Sequence, residues 1–192
     1  MSRFTVAKRR KREGKTDYKM RIKLLKSNKP RLVIRKTVKN IILQIIEYAP
    51  AGDKIILSAN SRELVKLGWK SNTNNLPASY LCGYLLGKKA VAKNIKECIL
   101  DLGMQSSVKK GSLFVALKGA IDAGLNVSHS ENVFPDEKRV KGEHIAEYAK
   151  KLKEKKEHFD KQFSKCLKQG FDPEKIASHF DEIKAKIGAK ND

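Results

Sequence analysis

Cysteine is scarce. Cys82, Cys98 and Cys166 are the three in 192 residues, far apart and with no CxxC pair. An odd, scattered set excludes a disulfide framework and argues against a zinc site. Long apolar runs are also missing: none approaches the roughly 18 to 20 residues that cross a bilayer. The basic start at Met1–Arg12 has no apolar stretch behind it that would make a secretion signal. The expectation is a cytoplasmic protein in a reducing compartment, neither secreted nor membrane-spanning. Acid is in short supply too, with 21 Asp and Glu against 42 Lys and Arg, a net charge of +21. No GxSxG elbow occurs, no cysteine sits in a nucleophile pattern, and no repeat recurs at solenoid spacing.

What remains is enough apolar sequence for a core, 40% of residues, and a charge that is unevenly placed. Residues 1–40 carry a net +14, residues 41–137 only +2 and residues 138–192 +5. This divides the chain into a basic arm (1–29), a globular domain (30–137) and a Lys-rich helical extension (138–192). An arm of such charge density repels itself, so it is expected to be extended when free and to order against a polyanion. Solubility runs usually mix signs, whereas Lys8-Arg9-Arg10-Lys11-Arg12 is unbroken, which points to nucleic acid.

Hydrophobic period defines the domain. Arg31–Val38 and Ile41–Ile46 are β-branched runs joined at Lys39-Asn40, a hairpin. Pro30 stands where a missing donor does no harm, and Ile55–Ala59 is a third strand after the Pro50–Asp53 turn. Asn60 with Glu63 three residues on reads as a capping box, and Gly68 ends the short helix. From Pro77, the residues Ala78, Leu81, Cys82, Leu85, Leu86 and Ala90 keep helical spacing and predict a helix lying on the sheet. Cys98–Leu102 is a fourth strand and Ser112–Ala123 a helix stopped at Gly124. The fold class is α/β: a small mixed sheet covered by helices, with a parallel component added to the hairpin. Beyond Arg139, apolar residues at three- or four-residue steps predict one long helix to Gly170. Asp172-Pro173 then starts another, with Ile176, Phe180, Ile183 and Ile187 on one face.

Candidate chemical motifs are thin. Gly83-Tyr-Leu-Leu-Gly87-Lys88-Lys89 has the wrong spacing for a phosphate loop and lacks its Ser/Thr; the glycines are read as allowing close helix-to-sheet packing. His144 and Glu147 share a helical face, but a metal site needs a third ligand. Asp101 is the acid best placed to hold magnesium in a nuclease, yet reads as a strand end facing water. No catalytic residue, metal site or cofactor is expected. In the arm, Phe4 and Tyr18 interleave with arginines that fork around phosphates, a pattern suited to RNA with exposed bases.

Four stretches carry a resemblance: Arg9-Arg10-Lys11-Arg12-Glu13-Gly14-Lys15-Thr16-Asp17-Tyr18, Arg31-Leu-Val-Ile-Arg35, Gly68-Trp69-Lys70 with Asn75-Leu-Pro-Ala-Ser-Tyr-Leu81, and Lys118-Gly-Ala-Ile-Asp-Ala-Gly-Leu125. From about Arg9 to Tyr148 the chain resembles the large-subunit ribosomal protein family numbered eighteen in the universal scheme, whose eukaryotic relative is ribosomal protein five, and in length it resembles the archaeal branch. It departs from the usual pattern at Ser128-His129, where relatives place Pro before the His, and at Ala123-Gly124, where relatives carry a Gly pair. The resemblance implies a non-enzymatic constituent of the large subunit that binds 5S ribosomal RNA in the central protuberance. Its partners there are large-subunit ribosomal RNA and neighbouring large-subunit proteins, with no membrane. The residues expected at RNA are Lys8, Arg9, Arg10, Lys11, Arg12, Lys15 and Arg21 on phosphates and Thr16 on sugar or phosphate oxygens. Tyr18 is either a base stack or a hinge, and Arg31 and Arg35 share one strand face. Two rivals stand beside this reading: a metal-dependent RNA-processing nuclease on a similar α/β scaffold, and a peripheral binder of anionic membrane.

Overall fold

The computed structural model describes residues 5–190, with the side chain of Lys190 left out; Arg3 and Phe4 of the arm lie outside the described residues. β1 (Arg31–Lys36) and β2 (Ile41–Glu47) form the expected antiparallel hairpin, and β3 (Lys54–Asn60) pairs with β2. β4 (Glu97–Asp101) adds parallel to the other side of β1, and the two-residue β5 (Asn126–Val127) follows parallel to β4. The order is β3-β2-β1-β4-β5. The hairpin turn is longer than two residues, because Thr37 N–H donates to the Asn40 carbonyl at 2.8 Å and β1 stops at Lys36.

Alternation along the strands sorts the two faces. Leu32, Ile34, Ile41, Leu43 and Ile45 are fully buried on the inner face, each contributing about 1.5–3 kcal/mol relative to exposure. The helices that cover them are α4 (Leu76–Ala92), capped by the Asn75 side chain at the Ala78 N–H, and α5 (Ser112–Asp122). The short helix α3 (Glu63–Lys66), between β3 and α4, keeps half of the predicted capping box: Glu63 Oε1 accepts from the Asn60 N–H at 2.9 Å, while Asn60 Oδ1 accepts from the Arg62 N–H instead of that of Glu63.

The glycines of α4 correct one expectation. They bring α4 against α5 and not against the sheet: a Cβ on Gly83 would overlap the Ala116 carbonyl, and one on Gly119 would overlap the Tyr80 carbonyl in return. Two helices approach this closely only where side chains are absent. At Ala123-Gly124, Ala123 is right-handed helical and only Gly124 has a positive φ, +107°. The second position alone requires glycine there, which is why the pair dispenses with its first member.

The C-terminal region corrects another. The spacing across 139–170 predicts one helix, but there are three: α6 (Glu137–Lys141), α7 (Glu143–Leu152) and α8 (Lys156–Lys168). Gly142 breaks the first pair at φ +91°, wedged where a Cβ would come within 2.8 Å of Pro77. Asp172 caps a 3-10 turn at Pro173–Lys175, as its sequence predicts, and α9 (Ile176–Lys190) follows. Ile176, Phe180, Ile183 and Ile187 are buried in the main core. α8 lies apart, in a smaller cluster of Ala149, Phe163 and Cys166. Between α9 and the domain, the His179 ring stacks on Trp69 at 5.1 Å, and its Nε2 accepts from the Lys70 N–H at 3.2 Å.

Replacing Gly83 by Ala is expected to lower stability by about 1–3 kcal/mol through overpacking, despite the better helix propensity of Ala. Gly188→Ala in α9, where nothing lies within 4 Å of the added Cβ, is expected to raise stability by up to about 1 kcal/mol. Urea titrations of both variants check the pair.

Candidate nucleic-acid interface

The outer face of the sheet has no helix layer like that of the inner face. β1 points Arg31, Val33 and Arg35 that way, and β4 sets Asp101 beside Val33. The arm lies over this face, and it is not extended throughout as its composition suggests. Arg9–Arg12 form a helical turn, α1, and Tyr18–Leu25 a helix, α2, capped by Asp17, whose Oδ1 accepts from the N–H groups of Lys19 at 2.9 Å and Met20 at 3.2 Å. None of the residues of α2 is buried, so packing does not hold it down.

Charge does. Arg21 of α2 reaches Asp53 with two hydrogen bonds, at 2.8 and 2.7 Å. Asp53 also accepts from Arg31 at 2.6 Å, Arg31 donates its other terminal nitrogen to Asp101 at 2.7 Å, and Asp101 receives Arg35 at 3.2 Å. The result is an alternating ladder, Arg21–Asp53–Arg31–Asp101–Arg35, running from the arm across the sheet. Arg31 is 3% exposed and Asp101 7%; forked arginine-to-carboxylate bonds of this length are among the strong ones. Arg31 Nε has no hydrogen-bond partner among the described residues, a cost that the two paired ends of the guanidinium offset. The Arg21 hydrogen bonds, followed by those of Arg31, hold the Asp53 carboxyl below the usual carboxylate range against the opposing effect of burial. In return, Asp53 raises Arg21 above its ordinary value.

Asp101 therefore does not face water. One oxygen takes Arg31; the other takes Arg35 and the Gly103 N–H at 2.9 Å. That set is the opposite of a magnesium site, since cations already occupy both oxygens. Arg35 also donates to the Asp101 and Ile34 carbonyls, both at 2.9 Å, and its side chain stays 37% exposed.

The remaining arm residues stand around this ladder. Arg10 Nε donates to Thr16 Oγ1 at 2.9 Å, and Lys15 and Arg9 pair with Glu13 at 2.9 and 3.7 Å. The Lys8 ammonium lies 4.8 Å above the Tyr18 ring, joining the segment before α1 to the start of α2. Lys11 and Arg12 are exposed and make no ion pair among the described residues. Of the residues singled out by sequence, Lys8, Arg9, Arg10, Lys11, Arg12 and Lys15 form an open cationic surface. Arg21 and Arg31 are turned inward to carboxylates, and Arg35 is shared between the two. His144, weighed as a ligand, is half-buried on α7; burial and then Arg139 hold it below the ordinary histidine value.

Sequence reasoning passed over Asp53 and Gln105. Gln105 continues the ladder of β1 with its side chain, accepting from the Lys36 N–H at 3.0 Å and donating to the Lys36 carbonyl at 2.8 Å. That fixes the loop after β4 opposite the arm. Between arm and loop lies a cleft of about 440 Å³ lined by Arg10, Lys15, Thr16, Arg35, Val33 and Ser107 among others.

Asp101→Ala is expected to cost about 3 kcal/mol or more, because it leaves a buried guanidinium short of a partner; a denaturant melt measures it. Asp53→Asn is expected instead to free α2 while Arg31 keeps Asp101, seen as faster proteolysis at the arm lysines with little change in the core transition. A carboxylate whose folded pKa is depressed contributes stability above its unfolded pKa and loses it as pH falls through the folded value. Arm docking should thus hold above the ordinary aspartate value of about 3.9 and be lost below it, as pH falls through the lower folded value of Asp53, read from the amide signals of α2 during an acid titration.

The match to known proteins falls on these elements. The sequence profile of the ribosomal large subunit proteins 60S L5 and 50S L18 fits residues 2–97, taking in the arm, the hairpin, β3, α3 and α4 and stopping at the first residue of β4. The Lys118–Leu125 motif lies beyond the matched span. With half of its length matched, and with the arm, Asp53 and all three arginines of the ladder inside the match while Asp101 lies just beyond it, the chain belongs to the family of ribosomal large subunit proteins 60S L5 and 50S L18.

Proposed function

We propose that this ribosomal protein binds 5S ribosomal RNA and helps to attach it in the central protuberance of the large subunit, acting without catalysis beside neighbouring large-subunit proteins. The carrying observation is the division of labour in the arm. Lys8 to Arg12 are an unbroken run of exposed cations, while Arg21 is withdrawn to Asp53 and anchors the run over the sheet. A tether of opposite charge within so basic a segment holds the free cations at one place and in one orientation. Phosphate contacts fix register and orientation, and the arm supplies them in bulk. Thr16, held by Arg10, adds a hydroxyl beside the phosphate sites. Arg31 acts through the ladder as a positioning residue, and Arg35 presents its exposed edge.

Binding driven this way is salt-dependent, because each neutralised phosphate releases counterions. For about five contacts the affinity for 5S ribosomal RNA is expected to fall by two to three orders of magnitude between about 50 and 200 mM salt. Deleting residues 1–16 keeps the Asp17 cap and Arg21, so the thermal transition should stay in place while the slope of log affinity against log salt drops by more than half. Fluorescence titrations at four salt concentrations measure both slopes. An unchanged slope in the truncated protein places the contacts elsewhere, and equal affinity for 5S ribosomal RNA and an unrelated RNA of the same length removes the 5S assignment.

A further inference from the structure

The cleft between the arm and the loop after β4 has features that phosphate binding leaves unused. Its volume, about 440 Å³, falls within the roughly 300–1,000 Å³ of sites that enclose small molecules. Apolar side chains line it beside the charged ladder, Val33 and Ile46 from the outer sheet face and Met20 and Leu24 from α2, and a phosphate gains nothing from such surfaces. Two guanidinium groups, those of Arg10 and Arg35, line it with their orientations set by protein hydrogen bonds. The terminal nitrogens of Arg10 make no hydrogen bond among the described residues. On the loop side the Ser107 hydroxyl is likewise without a protein partner among the described residues, whereas its neighbour Gln105 is committed to Lys36.

A flat apolar body with a polar edge and an attached anion fits that set of surfaces. We propose that the cleft receives one unstacked nucleobase of the bound RNA, held between the Arg10 and Arg35 guanidinium groups over Val33 and Ile46, with Ser107 at the base edge. This rests on the RNA-binding reading above and deepens it. Sequence-sensitive RNA recognition commonly works on splayed bases stacked on aromatic or guanidinium planes, and the cleft supplies the guanidinium form, since Tyr18 is turned to Lys8 instead. An acidic peptide would match the charge but would waste the planar walls.

The test uses the full chain and 5S ribosomal RNA. Ser107 is exposed, so Ser107→Phe fills the cleft from its rim without removing a charge; Gly188→Ala in α9, which does not line the cleft, is the control. Expected for Ser107→Phe is a loss of about ten-fold or more in affinity, the scale of one base stack, with an unchanged salt slope and melting temperature. Gly188→Ala should stay within about two-fold of the unmodified protein. Affinity unaltered in Ser107→Phe overturns the proposal, and so does a loss accompanied by a shallower slope, which would mean a displaced phosphate contact. A second measurement follows the amide signals of Val33 and Leu102 during titration with adenosine monophosphate, inorganic phosphate and a hexaglutamate peptide. Shifts with the nucleotide alone support the base site. Equal shifts with phosphate make it an anion site only, and larger shifts with the peptide make it a protein-docking surface; both overturn it. Failure of the unmodified protein to bind 5S ribosomal RNA is a separate outcome that sinks the RNA reading itself.

Discussion

The interface depends on one buried guanidinium. Arg31 is almost wholly removed from water, and a charge there is tolerated only because Asp53 and Asp101 flank it. Each carboxylate in turn holds a further arginine, Arg21 in the arm and Arg35 at the end of β1. Without Arg31 the two acids would face each other across the sheet, and the arm would lose its attachment point. Replacing such a set by apolar residues is often neutral for stability. Here the ions do something a hydrophobic patch would not: they fix the direction of a segment none of whose residues is fully buried.

This arrangement places negative charge beneath a surface that meets a polyanion. Asp53 and Asp101 weaken the local positive potential, yet they settle where that potential points. On the proposed function, affinity is assigned to the number of exposed cations and orientation to the cations that are paired. The loop after β4 joins the same frame through Gln105, whose amide stands in for a strand residue beside Lys36. Arm and loop are thus both referenced to β1, and the space between them has a defined shape.

How much of this the sequence reveals follows from what holds each element. The hairpin, β3, α4 and α9 are driven by burial, so their periodicity is visible, and Asp172 caps where its sequence says it should; the Asn75 cap of α4 stands in a polar stretch that reads as loop. α2 buries no residue, and its Lys-rich stretch gives no core-facing pattern; only Asp17 before Tyr18 hints at a helix start. The break at Gly142 is hidden because three- and four-residue steps continue across it, and the reason for the break is Pro77, sixty-odd positions earlier. Asp101 is illegible for a similar reason. Its polarity alone reads as solvent exposure, and what reverses that reading is Arg31, 70 residues away. The exposed cations were legible as a group, but the sorting of Arg21 and Arg31 to an internal role needed the fold.

The docking of α9 has a consequence for how the molecule is made whole. Its apolar face enters the same core as the hairpin, and His179 meets Lys70 across 109 residues of chain. Contacts so distant in sequence form late, since a long loop must close before they repay its entropy. Until α9 arrives, Leu64, Trp69 and the nearby end of α4 are left with water on one side. A chain interrupted before Ile176 would keep its full cationic arm while exposing an unfinished core, and so would hold RNA and self-associate at once. Discarding incomplete copies before they meet RNA is then a requirement that the architecture itself imposes.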